Sequence, residues 1–99
     1  MWRFKALFGH PTRYDIVRFL MGRKPHRATV EEIVEGVAQL GGGEGIARTT
    51  VAEHIQVLSG ERLLEKSPSL RGGYRVDSQA LRALVNEAIR DLGIPPETQ

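Results

Sequence analysis

At 99 residues, with 40% hydrophobic and 26% charged side chains, the chain has the size and composition of one small globular domain. It contains no cysteine, which excludes disulfides, thiolate metal sites and cysteine nucleophiles. No apolar run approaches a membrane span and Met1-Trp2-Arg3-Phe4-Lys5 has no apolar leader core, so a cytoplasmic location is expected.

The net charge of +2 is modest, but it is distributed in blocks. Between Met1 and Val30 the basic residues Arg3, Lys5, Arg13, Arg18, Arg23, Lys24 and Arg27 face a single acid, Asp15. From Glu31 to Glu61 the acids dominate, with Arg48 the lone cation, and from Arg62 to Val76 Arg62, Lys66, Arg71 and Arg75 oppose only Glu65. Blocks of this kind suit a molecule that meets a polyanion with some surfaces and not others, although solvated charge would look the same.

In chain order, Trp2, Phe4, Leu7 and Phe8 predict a short first helix, which Gly9-His10-Pro11 interrupts. Pro11 suits the first turn of a second helix, where its missing N–H costs nothing. That helix carries Tyr14, Ile16, Val17, Phe19, Leu20 and Met21, an apolar arc wide enough for the centre of a core. Gly22-Arg23-Lys24-Pro25-His26 is a connector, and Thr29-Val30-Glu31-Glu32 has the form of a capping box opening a third helix through Ile33, Val34, Val37 and Leu40. Gly41-Gly42-Gly43-Glu44-Gly45 cannot continue a helix and reads as a turn.

A fourth helix follows over about 47–59. Val51, Ile55 and Leu58 share one face, at spacings of four and three, while Thr49, Ala52, Glu53 and Gln56 fall opposite with Arg48 and Thr50 at the margins. That exposed face is short-chained and rich in hydrogen-bonding groups, a surface able to enter a major groove and reach base edges. Leu63-Leu64-Glu65-Lys66 and Gly73-Tyr74-Arg75-Val76 then predict a hairpin with its tip at Ser67-Pro68-Ser69-Leu70-Arg71-Gly72. Asp77 or Ser78 caps a last helix, whose stripe Leu81, Leu84, Val85, Ala88 and Leu92 is stopped by Gly93-Ile94-Pro95-Pro96. The expected fold is mainly α with a β-hairpin wing, a winged helix-turn-helix of order α-α-α-α-β-β-α. It would occupy residues 1–93 as one domain, with 94–99 a frayed tail.

This order, and the residues carrying it, resemble the ArsR-like family of small winged-helix transcriptional repressors. The resemblance runs from about Phe4 to Leu92. Phe4-Lys5-Ala6-Leu7-Phe8-Gly9-His10-Pro11-Thr12-Arg13 is similar to the family's approach to its second helix, with Phe8 one residue extra. Thr50-Val51-Ala52-Glu53-His54-Ile55-Gln56-Val57-Leu58 is similar to its recognition helix, and the two hairpin segments to its wing. The chain departs from the pattern at Ala47 and Ala52, where the family usually has serine, and in a longer glycine turn. With no cysteine, and no histidine between Ser78 and Leu92, the resemblance points to the members that do not sense metals. It implies a homodimer paired through the first and last helices.

The candidate DNA-contacting residues are Arg48, Thr49, Thr50, Ala52, Glu53, His54, Gln56, Lys66, Arg71 and Arg75. Arg48 can clamp a phosphate or reach guanine bidentately, Gln56 can pair with adenine, and Ala52 can pack on a thymine methyl. Glu53 repels phosphate, so it either accepts from cytosine or lies off the interface. His54 contacts phosphate or makes a structural hydrogen bond. Arg71 at the hairpin tip can enter a minor groove, Lys66 and Arg75 can bind phosphate, and Arg13 is expected to serve the fold.

Trp2, Phe4, Phe8, Leu81, Leu84, Val85, Ala88 and Leu92 are the candidate dimer interface, although the last-helix stripe equally suits a core. The expected function is that of a sequence-specific regulator of transcription, a homodimeric repressor bound to double-stranded DNA, with no cofactor and no metal. A regulatory partner or small ligand is left open. The alternative is a winged-helix protein-interaction module without DNA binding, for which Glu53 and the acidic middle segment speak. No phosphate loop, dinucleotide glycine pattern or zinc motif favours an enzyme.

Overall fold

The structure, a computed structural model, describes residues 2–40 and 46–95, with side chains from Lys5 onward. Its helices are α1 (Trp2–Phe8), α2 (Pro11–Met21), α3 (Val30–Leu40), α4 (Arg48–Gly60) and α5 (Ser78–Leu92), and its strands are β1 (Arg27–Thr29), β2 (Leu64–Lys66) and β3 (Gly73–Val76). The chain is therefore mainly helical, with one small antiparallel sheet of order β1-β3-β2. The glycine turn expected at 41–45 and the tail beyond Pro95 lie outside the described residues.

The third strand corrects the expected order. Arg27, Ala28 and Thr29 pair with Arg75, Tyr74 and Gly73, so β3 is the central strand and carries β2 on its other edge through Leu64↔Val76, Glu65↔Arg75 and Lys66↔Tyr74. Three residues are too few to show an alternation in sequence, and β1 exists because β3 offers it an unpaired backbone edge. Ala28, fully buried, is its contribution to the core.

The helix boundaries follow local chemistry. Before Pro11, the His10 imidazole supplies the cap, its Nδ1 accepting from the Thr12 N–H at 3.2 Å. The capping box at α3 forms in both directions. Thr29 Oγ1 accepts from the Glu32 N–H at 3.2 Å, and Glu32 Oε1 accepts from the Thr29 N–H at 2.9 Å. That backbone hydrogen bond, aided by the Thr29 hydroxyl and Arg23, holds the Glu32 carboxyl below its usual pKa against a smaller opposing effect of desolvation. Asp77 is the cap of α5, its Oδ1 accepting from the Ala80 N–H at 3.0 Å. Gly93 ends that helix at φ 69°, in the left-handed region that glycine occupies freely.

At the end of α4 the left-handed position falls to a residue with a side chain. Arg62 sits at φ 61°, with its N–H bonded to the Ser59 carbonyl at 3.0 Å and the Leu63 N–H to the Leu58 carbonyl at 3.0 Å. These are the paired bonds of a helix stop in which the residue after the reversal is apolar, and Leu63 is fully buried.

Every element gives side chains to one core. Leu7, Ile16, Val17, Leu20, Ala28, Ile33, Val37, Val51, Ile55, Leu58, Leu63, Leu64, Val76 and Leu84 form it. The apolar face expected for α4 is the one buried, and so are Ile16, Val17 and Leu20 of α2 and Ile33 and Val37 of α3, whereas Tyr14 and Leu40, expected on the same faces, are exposed. Leu84 alone of α5 is fully enclosed, with Ala80 and Leu81 packed against the cluster. Of the two readings of the last-helix stripe, core packing is therefore the one that holds for Leu84. Where α2 meets α3 the approach is close: a Cβ on Gly36 would lie 2.2 Å from the Phe19 ring. Among the described residues no helix is long and apolar enough to cross a membrane.

Candidate nucleic-acid interface

The starts of α3 and α4 lie beside the hairpin, with Val30, Glu31 and Arg48 lining one groove together with Lys66, Arg71 and Tyr74. Ala47 stands at the N-cap of α4, and its side chain makes no capping bond, as expected from its lack of a hydroxyl. With Val51, Ile55 and Leu58 buried, Arg48, Thr49, Thr50, Glu53 and Gln56 are left exposed and Ala52 half-buried.

Arg48 leans back onto α3, where its Nη2 lies 3.3 Å from Glu31 Oε1. Both side chains are well exposed, 61% for Arg48 and 68% for Glu31, so the pair is weak and readily exchanged for another anion. Gln56 reaches the sheet, its Nε2 donating to the Tyr74 hydroxyl at 3.4 Å. Tyr74 was not among the residues singled out in the sequence, because only the tertiary fold brings β3 within reach of Gln56. Glu53 stands exposed in the middle of the face and forms no ion pair among the described residues.

The hairpin supplies the second border. Arg75 and Glu65 are directly opposed on β3 and β2, and Arg75 Nε donates to Glu65 Oε1 at 2.7 Å. This occupies the Arg75 guanidinium within the sheet. Lys66 and Arg71 are exposed and without an ion pair among the described residues. The tip is tied down by Arg27, which donates to the Ser69 hydroxyl, and by the neighbouring Ser67 and Ser69 hydroxyls at 3.3 Å. Gly72 turns the chain there at φ 70°. Gly73 passes so close beneath Leu70 that a Cβ would lie 2.6 Å from that side chain. Arg27 is thus a wing-positioning residue that sequence reasoning missed, since nothing local marked it as part of a strand.

Between these borders runs an open groove of about 640 Å³. Val30, Leu70 and Tyr74 are among its apolar lining, and Arg48, Lys66 and Arg71 place three cations against the single carboxylate of Glu31. The groove thus combines a net positive lining with apolar surface. Arg48, Lys66 and Arg71 are thus brought together, and Gln56 lies further along α4.

His54 goes elsewhere. It is half-buried on the flank of α4 with its ring against His10, the centroids 4.3 Å apart and the planes tilted 44°. Burial above all, then the neighbouring His10 and Arg13, lower its pKa from the usual histidine value, with Glu53 opposing. What the structure gives His54 is this ring contact rather than the structural hydrogen bond expected for it. Among the described residues no group of three or more His, Asp or Glu side chains converges as metal ligands would.

α5 leaves a ridge in solvent. Val85 is 40% exposed, Ile89 37% and Leu92 71%, and Ala88 between them is half-buried. Ile89 belongs to this ridge one turn beyond Val85, a spacing present in the sequence but overlooked. Phe8, 46% exposed, stacks at 5.7 Å on Tyr14. The Trp2 and Phe4 side chains lie outside the described residues. No family model matches the chain, and comparison with curated proteins and with solved structures likewise returns no match.

Proposed function

We propose that the chain is a sequence-specific, double-stranded-DNA-binding regulator of the winged-helix type, acting as a homodimeric repressor. The observation that carries this reading is the groove that joins the start of α4 to the hairpin, which Arg48, Lys66 and Arg71 line together. In this reading α4 enters the major groove with Thr49, Thr50, Ala52 and Gln56 toward base edges, and the three cations hold the adjoining phosphates. β2 and β3 act as the wing. Resemblance of the motif order to ArsR-like repressors supports the same assignment.

The ridge of Val85, Ile89 and Leu92 supports a second copy as partner. Pairing through α5 would set two α4 helices for half-sites about 34 Å apart. A second reading, a protein-interaction module that does not bind DNA, is favoured by one feature: Arg48 and Arg75 are already paired with Glu31 and Glu65, and Glu53 stands on the proposed reading face.

The deciding experiment is a selection from randomised duplex DNA, followed by titration of the selected and a scrambled duplex over a salt series. A recovered two-fold sequence, bound more tightly than the scramble and with affinity falling steeply as salt rises, is the expected result. No enrichment and no binding at low salt would refute the regulator reading and favour the protein module.

A further inference from the structure

The contact between His54 and His10 joins the middle of α4 to the cap of α2, and it is built for neutral rings. His10 Nδ1 accepts from the Thr12 N–H at 3.2 Å, so the neutral ring carries its proton on Nε2. A protonated imidazole has no acceptor nitrogen, and protonation of His10 therefore removes the cap of α2. His54 lies against that ring at 4.3 Å. Arg13, on the first turn of α2, has its Nε buried with no hydrogen-bond partner. A proton on His54 would place a new cation in a half-dehydrated seam already facing a guanidinium.

The surrounding charges reinforce this. Arg13 from α2 acts on His54, and Lys5 from α1 borders the adjoining groove beside Arg13. Against them stand Glu53, which acts on His54 directly, and Glu61 at the end of α4, which borders the same groove.

We infer that the His10–His54 contact makes the docking of α4 on α2 pH-sensitive, so that acidification loosens the helix proposed to read DNA. The regulatory consequence rests on the proposed function, whereas the pH-sensitive joint does not. The sign follows from linkage. The pKa of His54 in the fold lies below that of the unfolded chain, so the unfolded chain binds more protons in the interval between them. The contribution is fully present above the ordinary histidine value of about 6.5 and is lost as pH falls through the lower folded value.

Two variants isolate the joint. His54→Gln removes the titrating ring from α4, and His10→Asn keeps a side-chain acceptor at the cap without titrating. His26 remains in both as a common background. Between about pH 8 and pH 5, the wild-type melting temperature is expected to fall by about 4 °C more than that of His54→Gln, and by a smaller margin more than that of His10→Asn, which keeps the partly buried His54. The His54 ring resonances are expected to titrate below the ordinary value. Parallel melting profiles, or titration of His54 at the ordinary value, would overturn the inference.

Duplex binding adds a test of sign. Loosening predicts that wild-type affinity, relative to His54→Gln, falls by about threefold on acidification, a loss of about 0.7 kcal/mol. Relative tightening would instead make His54 a phosphate contact and overturn the inference. If no duplex binds at any pH, the proposed function fails, and the melting and resonance measurements still decide the joint.

Discussion

Arg48 should be held in reserve by Glu31, and removing either side chain should move DNA affinity in opposite directions. The pair is separated by 3.3 Å and more than half of each side chain is in solvent, so breaking it costs about 0.2–1 kcal/mol. A bidentate contact from an arginine to guanine gains about 1–3 kcal/mol. The exchange therefore favours DNA, and Arg48→Gln should weaken binding by about 0.5–2.5 kcal/mol, or roughly 2- to 70-fold. Glu31→Gln, which frees Arg48 in advance, should tighten binding by up to about fivefold.

The assay is titration of a selected duplex by fluorescence anisotropy across a salt series. If Arg48 clamps a phosphate, its loss lowers the salt slope by about 0.9 and leaves sequence preference intact. If it reads guanine, preference at one base pair disappears. The double variant removes the ambiguity of general charge, because the Glu31→Gln gain should vanish when Arg48 is absent. A gain that persists there, or an Arg48→Gln protein that binds within twofold of wild type at every salt, would refute the reasoning.

Three further outcomes follow from the packing. Gly36→Ala should destabilise the protein, because its Cβ would sit 2.2 Å from the Phe19 ring, which itself packs on the Arg23 guanidinium at 5.4 Å. Overpacking of about 2–3 kcal/mol, less about 1 kcal/mol of helix preference, leaves a net loss of about 1–2 kcal/mol in denaturant unfolding; an unchanged midpoint would disprove it. Arg62→Gly should stabilise by about 0.5–1 kcal/mol, since φ 61° brings the Cβ of any L side chain against a carbonyl and costs it more than it costs glycine; a lowered melting temperature would refute this. Val85→Glu with Ile89→Glu should convert a dimer to monomers in sedimentation while leaving the α5 cap and Leu84 in place, and a wild-type protein that sediments as a monomer would remove the dimer proposal.

Much of the helical framework was legible in the sequence because its causes are local. The Thr29–Glu32 capping box, the start at Pro11, the stop at Gly93 and the buried face of α4 each depend on residues within a turn or two of one another. The candidate groove was half legible. Arg48, Lys66 and Arg71 could be named from motif and composition, but not that Glu31 and Arg48 would meet, nor that Arg75 would be taken up by Glu65.

What the sequence by itself determined is therefore the set of helices, the hairpin segments and the polar, short-chained face of α4, because hydrophobic period and capping act within single elements. What only the tertiary structure decided lies between elements. β1 becomes a strand because β3 presents an open edge to it, and Tyr74 meets Gln56 because β2, which packs on α4, carries β3 at its side. Arg62 rather than the preceding Gly60 takes the left-handed turn because burying Leu63 fixes where the chain must reverse. Likewise Leu84 is spent on the core while Val85 and Ile89 remain outside, and His54 faces His10, because neighbouring helices set which side of each wheel is covered. Periodicity gives the face of a helix, and only packing gives what meets it.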